Sequence, residues 1–128
     1  MSYYFAKTVK TNFEDTLTKV EEELKKESFG VLTEIDVQAT LKKKLDVDFR
    51  KYKILGACNP PFAHKALTAE DKIGVLLPCN VIVQELDDNK VEVAIVNPID
   101  SMQSVKSEAL AKIASEITEK LKRVLENI

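Results

Sequence analysis

Two spacings of apolar residues alternate along the chain, and the switches between them predict its elements. Tyr3 to Val9 is short and rich in β-formers, which predicts a first strand. Phe13, Leu17, Val20 and Leu24 then recur at helical spacing. Ahead of them, Thr11 and Glu14 fit a capping box, in which a hydroxyl takes one orphan N–H and a carboxylate reaches back to another. Glu21–Lys25 and Glu22–Lys26 are spaced as i,i+4 pairs on the opposite face, and Glu21, Glu22 and Glu23 read as a solvated run. Gly30 is placed to stop the helix in a left-handed turn.

Val31 to Ile35 predicts a second strand, and Asp36 caps a short helix through Leu45 with Val37, Leu41 and Leu45 inward. After a polar connection to Arg50, Tyr52 to Cys58 is a third strand with little charge, hence covered on both faces. Asn59-Pro60 is a helix-start signal, because Asn caps and Pro at the first position loses no intrahelical bond. That short helix carries Phe62, Ala63, Ala66 and Leu67 and ends within Thr68 to Gly74. Val75 to Leu86 is strand-like, with Pro78 confined to an edge, a bulge or the strand start. Asp87, Asp88 and Asn89 make a hairpin turn, and Lys90 to Val96 returns antiparallel. Asn97-Pro98 stops it. Asp100 or Ser101 caps a last helix whose stripe is Val105, Ala109, Ile113, Ile117, Leu121 and Val124.

The order is β-α-β-(short α)-β-(short α)-β-β-α, within one domain spanning residues 1–128. Each long helix has a single apolar stripe, so both fit on one face of a mostly antiparallel sheet, an α+β two-layer sandwich. Leu17, Val20, Leu24, Ile113, Ile117 and Leu121 are the expected core. The second sheet face then needs polar residues, the short helices or a partner. A homodimer that buries it is the expectation, since Tyr52–Cys58 and Val91–Val96 look apolar on both sides.

Composition narrows the class. The chain has 19 basic and 21 acidic residues closely interspersed, with a net charge of -2. The one tight basic run, Lys42 to Lys44, is a solvated helix face and far short of a phosphate-binding patch, so no nucleic-acid partner is expected. No stretch approaches the roughly 20 apolar residues that span a bilayer. Met1 to Lys10 lacks a signal peptide's basic start and apolar run. No membrane partner and a cytoplasmic location follow, where two cysteines are thiols rather than a structural disulfide.

One stretch departs from ordinary patterning. Gly56-Ala57-Cys58-Asn59-Pro60-Pro61 and Leu77-Pro78-Cys79-Asn80 each set a Cys beside an Asn and near a Pro, where a strand starts or stops. With Phe29-Gly30-Val31-Leu32, Ile54-Leu55, Ala63, Leu67, Gly74, Val81, Val83 and Asn97-Pro98, these residues resemble a known family in the right order over nearly the whole chain. The family is that of the uncharacterised bacterial and archaeal proteins called domain of unknown function 302. The resemblance implies a TATA-box-binding-protein-like arrangement, with a curved antiparallel sheet and two helices on one face. It implies no DNA binding, because fold is not function. Pro61 directly after Pro60 departs from the family's pattern and bears on where the short helix starts.

The chemistry is sparse. Cys58 and Cys79 are 21 positions apart, so no CxxC motif exists, and they are either packed thiols or a reactive pair. His64 is the only histidine, and with two separated cysteines it lacks the closely spaced ligand pairs of a zinc site, so no metal is expected. Gly30, Gly56 and Gly74 are isolated and make no phosphate loop. Nothing specifies a catalytic residue or a cofactor. If the strand ends meet, Cys58, Asn59, Pro78, Cys79 and Asn80 form one ligand-binding site, with His64 on its rim. Otherwise Asn59 caps its helix and Asn80 satisfies a bulge. Two functions stand open: a non-catalytic binding or interaction module taking a small ligand or partner as a homodimer, and a thiol-based redox or ligand- and metal-sensing protein using Cys58 and Cys79.

Overall fold

The computed structural model describes residues 2–128. Its first strand, β1 (Tyr4–Val9), leads into α1 (Phe13–Lys26). Asn12 caps α1, not the Thr11–Glu14 box, by accepting the Asp15 N–H at 2.8 Å. The helix begins one residue later than a Thr11 cap requires, and Asp15 supplies the reciprocal carboxylate, taking Asn12 Nδ2 at 3.0 Å.

Ser28, not Gly30, adopts the left-handed conformation at the end of α1, with φ 67°. The Phe29 N–H reaches back to Leu24 O at 2.9 Å and the Ser28 N–H to Lys25 O at 3.0 Å, a Schellman closure. Its usual apolar clasp is present, because Phe29 and Leu24 both enter the core. Gly30 has no positive φ and opens β2 (Gly30–Asp36).

The ion pairs within α1 run through Glu23 and not through the predicted Glu21–Lys25 and Glu22–Lys26. Glu23 is buried, contrary to the solvated run, and it holds Lys26 at 2.7 Å and Lys19 at 3.1 Å. Hydrogen bonds from Lys26 and then Lys19 keep its carboxyl below the usual range. The lysines bring their charge over the carboxylate, which is how an acid next to the apolar stripe is tolerated.

Asp36 caps α2 (Val37–Leu45) as expected, accepting the Ala39 N–H at 2.9 Å. Leu45 is exposed rather than inward, in the last turn, which Asp46 closes in the left-handed conformation with its N–H on Lys42 O at 3.0 Å. β3 (Tyr52–Cys58) and α3 (Pro60–Ala69) follow the sequence reading. The predicted strand from Val75 begins later. Asp71–Leu76 is a 3₁₀ turn, the Leu77–Pro78 peptide is cis, and β4 is Cys79–Glu85, with Pro78 just ahead of the ladder where its missing N–H costs nothing.

β5 (Val91–Val96) returns through a turn with Asn89 at φ 58°. The last helix then divides. Asn97 caps a short α4 (Pro98–Ser101), and Ser107, not Asp100 or Ser101, caps α5 (Glu108–Glu126). Val105 therefore precedes α5 and Ala109 faces water, while Leu110 and Ala114 take their places in the stripe.

All pairings are antiparallel, in the order β1-β5-β4-β3-β2. Val20 and Leu24 of α1 share one core cluster with Ile117, Leu121 and Val124 of α5 and with Leu55, Val81, Val83, Val93 and Ile95 of the sheet. Both long helices therefore lie on one sheet face, in an α+β two-layer arrangement. Leu17 and Ile113 pack against this core half-buried. A smaller cluster of Ala66, Ile73 and Leu110 joins α3, the 3₁₀ turn and the start of α5.

The other face carries no long helix. Register places Ile35 opposite Ile54, Ile54 opposite Ile82, Ile82 opposite Ala94 and Ala94 opposite Ala6, an apolar row across five strands. Strand β5 is not apolar on both sides throughout, since Glu92 lies on this face opposite Gln84 and bonds to it at 2.8 Å.

Candidate functional site

The ends of β3 and β4 meet as the two Cys-Asn dipeptides require. Ala57 pairs with Cys79 and Gly56 with Asn80. Side chains alternate along a strand, so Ala57 and Cys79 turn toward the helices and both belong to the core, while Asn80 turns away. Gly56 is small for a reason: a Cβ there would lie 2.3 Å from Thr33 Oγ1 and 2.8 Å from Pro78 Cγ. Its missing side chain lets β2 and the Pro78 ring close over the sheet end.

A cavity of about 340 Å³ opens where the main core meets the smaller cluster. Cys58, Asn59, Pro78 and Cys79 line it from the sheet. Phe62, Ala63 and Leu67 line it from α3, and Ile113, Ala114 and Ile117 from α5. Leu32 and Leu67 are largely exposed and stand at its mouth. No charged side chain lines it. Leu32 reaches the mouth from the irregular step of β2, where the register shifts between Val31 and Thr33.

Two of the expected site residues lie elsewhere. Asn80 is exposed and borders a separate depression with Ile82 and Gln84 on the helix-free face. His64 is exposed on α3 and does not line the cavity. Among the described residues, no three or more His, Cys, Asp or Glu side chains gather as metal ligands.

Asn59 occupies the position before α3 but does not cap it. An N-cap side chain takes the N–H of the second or third helical residue. The second is Pro61, which has none. The double proline therefore leaves the helix start at Pro60 and takes away a donor. Asn59 is 5% exposed and gives its Nδ2 to Glu27 O at 3.2 Å. Its Oδ1 is buried with no partner. Donation to a carbonyl identifies which amide atom is nitrogen, so the atom left over is an acceptor.

Both cysteines are free thiols. Burial, and then the nearby Cys58, push the Cys79 thiol up to about 11. It stays protonated near neutral pH, unlike the thiolate that nucleophilic or redox chemistry uses.

Sequence reasoning missed the α5 wall and Phe62. Their helical spacing reads as core, and only the tertiary meeting of two clusters turns that spacing into a lining. Exposed Leu32 had a weak signal, an apolar residue on the wet parity of its strand.

The protein family described as Domain of unknown function DUF302 matches residues 5–128. A crystal structure of an uncharacterized conserved protein DUF302 from Bacillus stearothermophilus is 29% identical, covers 99% of this chain and 98% of its own, and has a TM-score of 0.92. No curated protein matches the chain.

Proposed function

Because the chain belongs to the DUF302 family, whose description assigns no activity, we propose from its own geometry that it is a non-catalytic binding module for a small, mostly apolar ligand. The observation that carries this is the cavity of about 340 Å³ with no charged lining residue. A well-packed interior holds few voids larger than a water molecule. This one is roughly twice the volume of an engineered cavity of ~150 Å³ that binds benzene. It is also open at an apolar mouth, so a ligand has an entry path. The thiol reading is weaker, because Cys79 is buried and protonated.

Naphthalene tests the proposal. Titrated into the protein, it should shift the amide NMR signals of residues at the ends of β3, β4 and α3 and raise the melting temperature. Ala63→Leu, which fills the lining, should stay folded and lose those shifts. Absence of shifts up to the solubility limit of naphthalene, or shifts confined to the opposite sheet face, would overturn the reading.

The same chain is proposed to act as a homodimer. The row from Ile35 through Ile54 and Ile82 supports this, being apolar, regular and uncovered by α1 or α5. A two-fold pairing sets such a row against itself. Light scattering at micromolar concentration should report twice the mass of 14.4 kDa. The monomer mass alone would sink the dimer without touching the ligand site.

A further inference from the structure

The apolar cavity continues past its mouth. Phe29, Leu32 and Thr33, which line it, also line a neighbouring groove of about 520 Å³ between α1 and the edge strand β2. Resting on the cavity's role as a binding site, we propose that its ligand is a single-chain amphiphile with a cationic head, an alkylamine by class, whose chain fills the cavity and whose ammonium lies in this groove against Glu21 and Glu22.

The chain follows from the shape and lining of the path. No charged side chain lines the cavity, so a charged group placed there would lose its water with nothing to compensate it. Leu32 and Leu67 are exposed at the mouth, and Val75, 85% exposed, stands beside Gly74 of the lining. A compact ring held wholly inside would leave this apolar collar in water. A chain that passes over Leu32 covers part of the collar and reaches the groove, and the added apolar burial favours the longer ligand. The way along β2 is clear, because even a Cβ built on Gly30 would meet no atom within 4 Å.

The head follows from charge complementarity. Thr18, Glu21, Glu22 and Lys25 form one wall of the groove, at the three- and four-residue spacings that share a helix face. Glu34 stands across from them on β2 and is already paired with Lys53 at 2.9 Å. Lys26, the i,i+4 neighbour of Glu22, is drawn away to Glu23 at 2.7 Å. Two exposed carboxylates therefore face the groove against the single ammonium of Lys25. A cationic head is attracted there and an anionic one repelled. The groove is open to water, so the head keeps part of its hydration while only the chain is buried.

NMR titration of the unmodified protein compares octylammonium, 1-octanol and octanoate, each below its micelle-forming concentration, with butylammonium as the same head on a short chain. Octylammonium is expected to bind at least about fivefold tighter than octanoate at low salt, with octanol between them, as exposed carboxylates acting on opposite head charges predict. The gap should shrink in high salt. Octylammonium should shift the amide signals of residues 18–25 together with those at the ends of β3, β4 and α3, and butylammonium should bind at least about tenfold more weakly. Glu21→Gln/Glu22→Gln, at two exposed positions, should bring octylammonium and octanoate within about twofold of each other, and Ala63→Leu should weaken all three octyl compounds. Equal binding of the three to the wild type would overturn the cationic head, and a preference that survives in Glu21→Gln/Glu22→Gln would refute the role of those carboxylates; both results leave the apolar cavity standing. Butylammonium as tight as octylammonium, or naphthalene bound and no octyl compound bound, would refute the chain. Binding by neither naphthalene nor any octyl compound would remove the cavity reading together with this one.

Discussion

Gly56→Ala probes the close approach of Thr33 and Pro78 to the backbone at the sheet end. The new Cβ would lie 2.3 Å from Thr33 Oγ1 and 2.8 Å from Pro78 Cγ, whereas carbon atoms in favourable contact sit about 3.5–4.0 Å apart. Relief needs movement of roughly 1 Å on two sides. Thr33 is able to rotate its hydroxyl away, but the Pro78 ring has no such freedom. Overpacking of this kind costs about 1–3 kcal/mol. Against it stands the gain of replacing Gly inside a strand, about 0.5–1 kcal/mol. The net expectation is a loss of about 1–2 kcal/mol. For 128 residues, unfolding entropy makes each kcal/mol worth roughly 4 °C, so the melting temperature should fall by about 4–8 °C. Urea unfolding followed by circular dichroism gives the free energy, and calorimetry gives the midpoint. Adding Thr33→Ala removes the atom at 2.3 Å and should return part of the loss, a favourable coupling between neighbours. Gly56→Ala as stable as the parent, or a double variant no better than the single one, would refute the close-approach argument.

Other expectations are read the same way. Leu121→Ala, at a position with no exposure, should cost about 2–5 kcal/mol in urea unfolding, and half-buried Ile113→Ala distinctly less; equal costs would mean the helix face is misassigned. Lys7 Nζ donates to Ile128 O at 2.8 Å and Glu126 O at 3.1 Å, so Lys7→Met should lose about 0.3–1 kcal/mol, as a cation at a helix C-terminus does, with the effect shrinking in high salt. Glu27 is held below the usual carboxylate range by its hydrogen bonds with Arg123, one of them 2.9 Å. A depressed folded pKa stabilises above the unfolded value near 4.5 and stops doing so as pH falls through the folded one. Arg123 is half exposed, so Arg123→Met should cost at most about 1 kcal/mol at pH 7, and a pH series of denaturation midpoints should show the gap closing in acid; a gap that persists at pH 2 would assign it to packing.

The long amphipathic segments were legible because their information is local. Val20, Leu24, Ile117 and Leu121 recur at a spacing only a helix can bury, and the structure buries them. Boundaries were less so. Ser28 takes the left-handed position because Phe29 has to return to Leu24, a requirement set by the core and not by glycine's freedom two residues on. The split at Asn97 to Ser107 escaped because two capping residues compete there and only the seating of α5 decides between them. At the site, the pairing of β3 with β4 brings four of the six expected residues to one cavity. Strand parity already separates Cys79 from Asn80 inside β4, while Cys58, Asn59 and Pro78 escape it because they stand at or beyond the strand ends. That Asn59 gives its amide to Glu27 O instead of capping α3 was not legible, because Phe62 still offers an N–H and the preference is set by a carbonyl distant in sequence.

Strand β1 lies at the sheet edge and pairs with β5 alone, Tyr4 opposite Val96 and Val9 opposite Val91. Its Lys7 then reaches the last carbonyls of α5, Leu125 O and Glu126 O, and Ile128 O just beyond it. During synthesis β1 thus emerges before β2, β3 and β4 and waits for β5 and α5, which follow them. Strands β2, β3 and β4 are neighbours in sequence and pair while it waits. Closing so long a loop is slow, which leaves Tyr4 to Val9 an unpaired β-forming segment until β5 has emerged, the stretch a chaperone would have reason to hold.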